Sequence, residues 1–343
     1  MISIPKEEIK KILIIKLRGI GDVVLSTIVL NNLKTDFPDS TIDYLTDPPS
    51  KAGLEGLKYI NQVITYPKKF VDRIKLINQI RKQKYDLILD FYSNPTTAQI
   101  TFLSGAKYRC GFPYRGRRYA YNIFGPSERG RFHAATLHLE FLKSIGLSDD
   151  KQNLHFYTSE GDNIFADNWL EKNLPADTSF FGISPSGGWQ SKKCDPDILA
   201  NFGNEITKKY PIKALILWGP GDYDDAIEIK KILGNSAFIA PSTTIRQMAA
   251  FISKCKFVIA NDSGPMHIST AVGIPTLSIH GPTDPTLQGP FGDKHEWINL
   301  AELDCIVCNL LTCPKMHECF RDLPINRVIE KVDKLITKNK LQF

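Results

Sequence analysis

The chain has 343 residues, more than one hydrophobic core usually organises, so its length favours two domains. Its 42% apolar, 23% charged and 10% aromatic residues describe an ordinary soluble globular protein. The formal net charge of +6 suits anionic or phosphorylated partners, but it is too small to indicate a nucleic-acid partner.

The N-terminal stretch, MISIPKEEIKK, lacks the apolar core of a signal peptide. No apolar run approaches the roughly 18 residues that a transmembrane helix needs. We therefore expect a cytoplasmic protein, which could make peripheral contact with the inner face of the cytoplasmic membrane.

Apolar runs of strand length alternate with helical patterns along the first half of the chain. The predicted strands are 11–17, 41–46, 61–66, 86–91 and 107–112, and the predicted helices are 22–36, 70–84 and 94–104. A basic segment, PYRGRRYAYN, then precedes a helical stretch at 133–146. Nearly continuous apolar strands that alternate with helices favour a parallel sheet covered on both faces.

The same alternation restarts in the second half of the chain. The predicted strands are 180–186, 214–219, 237–242, 257–262 and 276–281, with helices at 196–209, 223–233, 244–255, 264–272 and, past the second sheet, 326–338. The pattern predicts two Rossmann-like, doubly wound α/β domains with a boundary near 150–178. Because such domains bind ligands at the carboxyl ends of their strands, we expect the active site in a cleft between them.

The turn after the first strand, LRGIGDVVLST, resembles the start of a dinucleotide-binding unit but lacks its third glycine. Asp22 at this turn would repel a diphosphate, while the dipole of the following helix would keep its carboxylate ionised. Two roles remain open for Asp22, a catalytic base and a helix N-cap.

The strongest motif is NDSGPMHISTAVGIPTLSIHGPTDP, which begins at the end of a predicted strand. Asp262, Ser263 and Gly264 lead into a helix whose free N–H groups and dipole favour an anion such as a diphosphate. His267, one turn further, is another candidate donor. The alternative is ordinary helix capping beside a hydrogen-bonded histidine.

Two other turns of the second half carry candidate donor-binding residues. In SPSGGWQSKK, Ser186 and the glycines expose backbone N–H groups, and Lys192 or Lys193 could contact a phosphate. The alternative is a pair of solvated lysines. In WGPGDYDD, Asp222 could accept hydrogen bonds from a ribose or sugar, or cap a helix.

Four cysteines follow the second predicted sheet, namely Cys305, Cys308, Cys313 and Cys319. One Cys-x2-Cys pair followed by two more thiols can give a tetrahedral S4 site for structural zinc or iron. Disulfides and free thiols are the alternatives.

Cations on the first domain come from Arg18 and from the basic segment, which includes Arg115 and Arg117. Facing a cleft, they would suit a phosphorylated or carboxylated acceptor. The alternative is a solvated loop.

Together these motifs resemble the ADP-heptose:lipopolysaccharide heptosyltransferase family, glycosyltransferase family 9. The likeness lies in the opening strand, turn and helix, in the NDSGPMH signature, in WGPGD, and in CIVCNLLTCPKMHECF followed by INRVIEKV. It covers nearly the whole chain and implies a GT-B fold, with two Rossmann-like domains facing a central cleft. The implied parts are an acceptor-binding domain (1–160), a nucleotide-sugar-binding domain (175–322) and a C-terminal helix (323–343) that crosses back to the first domain.

The resemblance also implies inverting transfer of a heptose from ADP-heptose, without a catalytic metal, to a hydroxyl of a lipopolysaccharide-core or related acceptor. By position, Asp22 resembles the general base, and Lys192 resembles the lysine that holds the donor diphosphate. The residues that resemble the donor-binding signature are Asp262, Ser263, Gly264 and His267. Asp222 stands where the family usually has a glutamate. Because a second lysine, Lys193, is adjacent, the choice of the diphosphate-binding lysine stays open between Lys192 and Lys193.

The acceptor stays open among an anionic glycan, a glycolipid and a protein side chain. Two other functions also fit the sequence, a GT-B enzyme that uses another nucleotide sugar and a nucleotide-sugar-binding protein without catalysis. No nucleic-acid partner is expected.

Overall fold

The computed structural model describes residues 4–343, so the first three residues of the N-terminal stretch discussed above lie outside it. The chain divides into two compact units, one ending at Tyr157 and one spanning Thr158–Phe343. This division falls inside the segment 150–178 that the sequence left for the boundary.

From residue 4 onward, the first unit is built on six strands and five α-helices. The strands are β1 Lys11–Ile15, β2 Thr41–Thr46, β3 Ile60–Thr65, β4 Leu87–Asp90, β5 Tyr108–Gly111 and β6 Ile123–Phe124. The helices are α1 Ile20–Ser26, α2 Leu30–Asp36, α3 Phe70–Gln83, α4 Pro95–Leu103 and α5 Thr136–Ser144.

The first sheet has the strand order β3-β2-β1-β4-β5-β6, and all of its pairs are parallel. Its central strands are buried on both faces, which is why they read as unbroken apolar runs in the sequence. Leu13, Ile15 and Ile88 of the sheet pack in one core cluster with Leu76 and Ile80 of α3.

The second unit contains six strands and eight helices among its described residues. The strands are β7 Phe180–Ser184, β8 Lys213–Ile216, β9 Ala237–Ile239, β10 Val258–Asn261, β11 Thr276–Ile279 and β12 Glu296–Ile298. The helices are α6 Glu160–Asn173, α7 Pro196–Lys209, α8 Tyr223–Leu233, α9 Ile245–Lys254, α10 Gly264–Ala271, α11 Pro285–Gln288, α12 Glu318–Arg321 and α13 Ile325–Asn339. Within residues 4–343, no helix combines the length and apolar character needed to cross a membrane.

The second sheet repeats the topology of the first. Its order is β12-β11-β10-β7-β8-β9, again with parallel pairs throughout. Counted from its own first strand, this is the same doubly wound order as in the first unit. Both predicted Rossmann-like halves are therefore present.

All of helix α6 except Glu160 lies in the segment 161–174, which the sequence analysis assigned to neither domain. Ser159 and Asp162 form a reciprocal capping box at its N-terminus. Trp169 packs edge-on against Phe251 of α9, with ring centres 5.5 Å apart. The helix therefore belongs to the second unit, which begins earlier than the predicted residue 175.

Helix α13 packs against α7 and β12 of the second unit. Its buried residues Val328, Val332 and Leu335 recur at helical spacing and join the core of that unit. The buried carboxylate of Glu296 on β12 also pairs with three lysines of this helix. These contacts fasten α13 to the second sheet. That 323–343 crosses back to the first domain stays a prediction.

Candidate active site

In each sheet the first three strands extend to one side of the centre and the next three to the other. The switch point lies between β1 and β4 in the first sheet and between β7 and β10 in the second. In open parallel sheets, ligands bind outside the carboxyl ends of the strands at this point. Asp22 follows β1, Lys192 follows β7, and Asp262 follows β10 directly. Asp22, Lys192 and Asp262 thus lie at the switch points of their sheets.

Asp22 lies in the first turn of α1, and its side chain is 48% exposed. Its Oδ1 is 3.5 Å from Nζ of Lys16, a buried lysine that follows β1. The N-cap of the helix is Gly19 rather than Asp22, and no side chain makes a capping hydrogen bond there. The carboxylate is therefore free of the N-cap role.

Gly19 makes room for this carboxylate. Its φ of +73° is in the left-handed region that favours glycine, and an added Cβ would lie 3.0 Å from Oδ2 of Asp22. The first glycine of the Gly-x-Gly turn therefore positions the acid.

A cavity of about 420 Å³ lies next to this turn, at the carboxyl ends of β1 to β4. Its lining includes three cationic and two tyrosine side chains, from Arg18, Lys68, Arg73, Tyr66 and Tyr92. The guanidinium of Arg73 stacks 5.2 Å from the ring centre of Tyr66, and Nζ of Lys16 lies 5.9 Å from that of Tyr92. Aromatic faces with cations suit an anionic sugar, and Lys16 links the cavity to Asp22.

Of the three predicted acceptor residues, one lines this cavity and two do not. Arg18 lines it, and its backbone N–H donates to Oδ2 of Asp47 at 3.1 Å. The lining does not include Arg115, which is exposed, or Arg117, whose guanidinium stacks 5.3 Å from the ring of Tyr114.

Sequence reasoning missed Lys68 and Arg73 as cavity residues. The signal was present, because the basic run KKFVDR begins just after the predicted strand 61–66. Residues that follow a strand of a parallel sheet lie at its ligand-binding edge.

In the second unit, Lys192 and Asp262 form a salt bridge of 2.7 Å. Lys192 lies in a 3-10 turn, Gln190–Lys192, and its ammonium is 4.3 Å from the ring centre of Trp189. Burial raises the pKa of a carboxyl, but the charge of Lys192, helped by two nearby histidines, holds the pKa of Asp262 below its usual value. Asp262 is therefore ionised at neutral pH.

Lys193 is engaged differently from its neighbour. Its ammonium lies 2.8 Å from Oδ1 of Asp222 and 2.6 Å from Oδ2 of Asp225. Ser186 donates from Oγ to the other oxygen of Asp222 at 2.6 Å. Asp222 occupies the N-cap position of α8 without making a side-chain cap, so its carboxylate instead joins the turns after β7 and β8.

The start of α10 lacks a side-chain cap. Ser263 is the N-cap, but its hydroxyl donates to the carbonyl of Asn261 at 3.1 Å. Gly264 and Pro265 open the helix, and buried His267 follows in the same first turn. The structure thus leaves the first N–H groups of this helix, beside Asp262, without a capping side chain, as an anion site requires.

A chain of buried polar groups supports Asp262 from β11. Thr283 donates from Oγ1 to Oδ2 of Asp262 at 2.6 Å, and its hydroxyl lies 3.4 Å from Nδ1 of His280. The other ring nitrogen of His280 contacts Oγ of Ser278 at 2.7 Å. Burial lowers the pKa of His280 to about 4, so this imidazole is neutral near pH 7.

The four cysteines line one small cavity of about 50 Å³. All four are free thiols, and burial, with the neighbouring thiols, raises the pKa of Cys319 to about 12. Among residues 4–343, no group of three or more His, Cys, Asp or Glu side chains is placed to hold a metal ion. The predicted structural zinc or iron is therefore unsupported.

The cysteine segment instead fastens the turn that carries Lys192. The backbone N–H of Cys313 donates to Oε1 of Gln190 at 3.0 Å, and Nε2 of His317 is 3.0 Å from Nε2 of Gln190. Nδ1 of His317 also lies 2.9 Å from Oδ1 of Asp195. Sequence reasoning missed this role, since nothing in the local pattern pairs residues so far apart.

The family model described as glycosyltransferase family 9 (heptosyltransferase) matches residues 73–317, about seven tenths of the chain. The chain belongs to this family. The match includes the α10 signature and the cysteine segment as far as His317, and it confirms the resemblance drawn from the motifs.

Curated relatives of this family 9 protein are heptosyltransferases. Lipooligosaccharide heptosyltransferase 2 of Campylobacter jejuni serotype O:6 is 33% identical over 46% of this chain and 51% of its own length. The chain thus spans about half the length of the first Campylobacter relatives that it matches. Lipopolysaccharide heptosyltransferase 2 of Escherichia coli K12 is 24% identical over 96% of this chain and 99% of its own.

Solved structures confirm the GT-B fold. A family 9 glycosyltransferase of Veillonella parvula has a TM-score of 0.87 at 20% identity, covering 98% of this chain and 99% of its own. The E. coli ADP-heptose lps heptosyltransferase II has a TM-score of 0.78 at 19% identity, covering 96% and 99%.

Proposed function

We propose that the chain is an inverting heptosyltransferase that moves a heptose from ADP-heptose to a hydroxyl of a lipopolysaccharide-core acceptor, at the inner face of the cytoplasmic membrane. The observation that carries the proposal is the contrast between the two switch points. One presents the exposed carboxylate of Asp22, and the other presents Lys192 beside an uncapped helix. The names of the E. coli relatives support the donor and the acceptor class.

The donor half of the proposal rests on the second unit. Lys192 and the first N–H groups of α10 would bind the diphosphate, while Asp262 holds the lysine in position. Lys193 is the weaker candidate, because two carboxylates already surround its ammonium. Asp222, next to Ser186, would contact the ribose or sugar.

The acceptor half rests on the cavity beside Asp22. Arg18, Lys68 and Arg73 supply positive charge, and Tyr66 and Tyr92 supply apolar faces. This lining favours a sugar that carries a carboxylate or phosphate over a neutral protein side chain. Arg115 and Arg117 lie outside the cavity lining and would contact only a larger acceptor.

In the proposed step, Asp22 takes the proton of the acceptor hydroxyl as its oxygen attacks the anomeric carbon. The new C–O bond forms on the face opposite the departing diphosphate, so the configuration inverts. The bond between the anomeric carbon and the phosphate oxygen breaks, and ADP leaves with its electron pair. Lys192 and the helix N–H groups stabilise the charge that develops on the diphosphate.

The test of the base is Asp22→Asn, which keeps the shape and removes the proton acceptor. Because the side chain is half exposed and lies 3.5 Å from buried Lys16, we expect a small loss of stability with a drop in transfer of about 10²–10⁴-fold. Transfer is followed by mass spectrometry of the product, with Glu55→Gln, an exposed carboxylate of the same unit, as the matched control. Transfer by Asp22→Asn within about tenfold of the wild type would refute the assignment.

The donor is tested by thermal shift with ADP, UDP and GDP, since a ligand that binds the native state raises Tm. We expect ADP to give the largest rise, and Lys192→Met to lose this rise while Lys193→Met keeps most of it. A larger response to UDP would favour the alternative of another nucleotide sugar. Strong ADP binding with no transfer to any acceptor would favour a non-catalytic binding protein.

A further inference from the structure

The first turn of α3 exposes three large apolar side chains within five residues. Phe70 is 72% exposed, Val71 64% and Ile74 49%. We call these three residues the apolar tip. Single exposed apolar residues are normal on protein surfaces, but a contiguous group is typical of an interaction site.

The core of the first unit does not need the apolar tip. Helix α3 already buries Leu76 and Ile80 against the sheet, one and two turns further along. The helix therefore has a second apolar surface at its N-terminus, which does not belong to the core cluster that contains Leu76 and Ile80.

The surroundings of the apolar tip are strongly basic. Residues 68–75 contain four cations and one carboxylate, Asp72, so their net charge is +3. Over 68–84 there are seven Lys or Arg and again only Asp72, a net charge of +6 that equals the formal net charge of the whole chain. The segment 68–84 is therefore strongly basic, and the remaining residues of the chain are neutral in sum.

Exposed apolar side chains beside clustered lysines match the chemistry of a bilayer that contains anionic lipids. The apolar groups enter the boundary between headgroups and acyl chains, and the ammonium groups bind the headgroup phosphates. We propose that the apolar tip and the lysines next to it, Lys69 and Lys75, dock this protein on an anionic membrane surface.

The position of the tip connects this surface to the acceptor cavity. Lys68 and Arg73, which flank the tip in sequence, line the cavity beside Asp22. Docking at the tip would hold the cavity near the headgroups, where the sugar of a lipid-linked acceptor lies. This consequence rests on the proposed function, whereas the docking itself does not.

Vesicle co-sedimentation of the full chain tests the docking without any sugar substrate. The probes are vesicles of phosphatidylcholine alone and of phosphatidylcholine with phosphatidylglycerol. We expect binding to the mixed vesicles and little binding to the neutral ones. The triple variant Phe70→Ser, Val71→Ser and Ile74→Ser should reduce binding about tenfold or more, because it removes the inserted apolar groups.

Two further variants separate the effect of the lysines on vesicle binding from that of exposed apolar side chains in general. Lys69→Gln with Lys75→Gln should weaken binding to the anionic vesicles and reduce its dependence on salt. The matched control is Ile227→Ser with Ile232→Ser, which removes two exposed apolar side chains from α8, a helix without net positive charge. This control should bind vesicles like the wild type.

Equal binding to neutral and anionic vesicles, or unchanged binding by the triple variant, would overturn the proposal. Sedimentation velocity tests whether a second copy of the chain covers the apolar tip. A wild-type dimer together with a monomeric triple variant would identify the tip as a protein interface instead. The triple variant should keep transfer to a lipid-free acceptor. If transfer fails in every variant while vesicle binding follows the expected order, only the proposed function is refuted.

Discussion

The salt bridge between Lys192 and Asp262 gives the sharpest prediction, because it lies at the proposed diphosphate site and is largely removed from water. The two side chains are 13% and 6% exposed, and their charged atoms are 2.7 Å apart. Lys192→Met keeps the length of the side chain and removes its charge. Asp262 then stays buried with only the hydroxyl of Thr283 as its side-chain partner in the structure.

At 2.7 Å and an effective dielectric constant of about 20, the attraction amounts to about 6 kcal/mol before desolvation is counted. Breaking a buried pair by removing one partner typically costs about 3–5 kcal/mol, because the other charge is left uncompensated. Since Thr283 remains bound to the carboxylate, we expect the free energy of unfolding of Lys192→Met to fall by about 3 kcal/mol at pH 7.

The pH dependence follows from the lowered pKa of Asp262 in the folded wild type. Its contribution is present above the unfolded pKa of about 3.9 and is lost as pH falls through the folded value. Without Lys192, burial raises the pKa of Asp262, so the variant neutralises this group at higher pH. The deficit of the variant should therefore shrink as pH falls from 7 toward 4.

Guanidinium denaturation at a series of pH values measures this deficit. The double variant Lys192→Met with Asp262→Asn should recover most of the loss, since no buried charge then remains. A deficit under about 1 kcal/mol at pH 7, or a double variant no more stable than the single one, would refute the reasoning.

Three other changes test separate features. Gly19→Ala should lower the free energy of urea unfolding by about 1–3 kcal/mol and reduce transfer, because alanine is strained at φ +73° and crowds Asp22; an unchanged unfolding midpoint would contradict this. His317→Asn should raise KM for the donor with little change in kcat, since it loosens the turn that begins at Gln190; a fall in kcat alone would argue against the anchoring role. Stability should also decline as pH drops from about 6.5 to 4, by about 3 kcal/mol for His280, because the unfolded chain takes up a proton that the buried imidazole does not. In denaturation experiments at a series of pH values, the stability of His280→Gln should decline less than that of the wild type as pH falls. An equal decline in the variant would assign the pH dependence to another group.

Most of the fold could be predicted from the sequence, because the patterns that indicate strands and helices are local. Apolar strand-length runs separated by helical patterns predicted both sheets, and the predicted helix 196–209 matches α7. Asp262 could be placed at a strand end because it follows an apolar run directly, and Asp22 because it lies in the short glycine turn after one. The short edge strands β6 and β12 were missed, since two or three residues carry no periodicity.

Features that depend on distant parts of the chain could not be predicted. The charged composition of α6 concealed the few side chains with which it packs on α9. The amphipathic stripe of α13 predicted a helix but did not indicate which sheet would bury it. The cysteine spacing suggested a metal, whereas the contacts of this segment with Gln190 are not encoded in any local pattern.

The anchoring of the Lys192 turn also bears on the order in which the protein folds. The bonds from Gln190 and Asp195 to the cysteine segment join residues that are 122 to 127 positions apart. Contacts of such high sequence separation form late, because the loop they close loses much entropy. The turn can therefore become rigid only after the chain beyond β12 has been synthesised. Because a few side-chain bonds hold the Lys192 turn whereas β7 is paired with a strand on each side, we expect the amides of the turn to exchange with solvent sooner than those of β7.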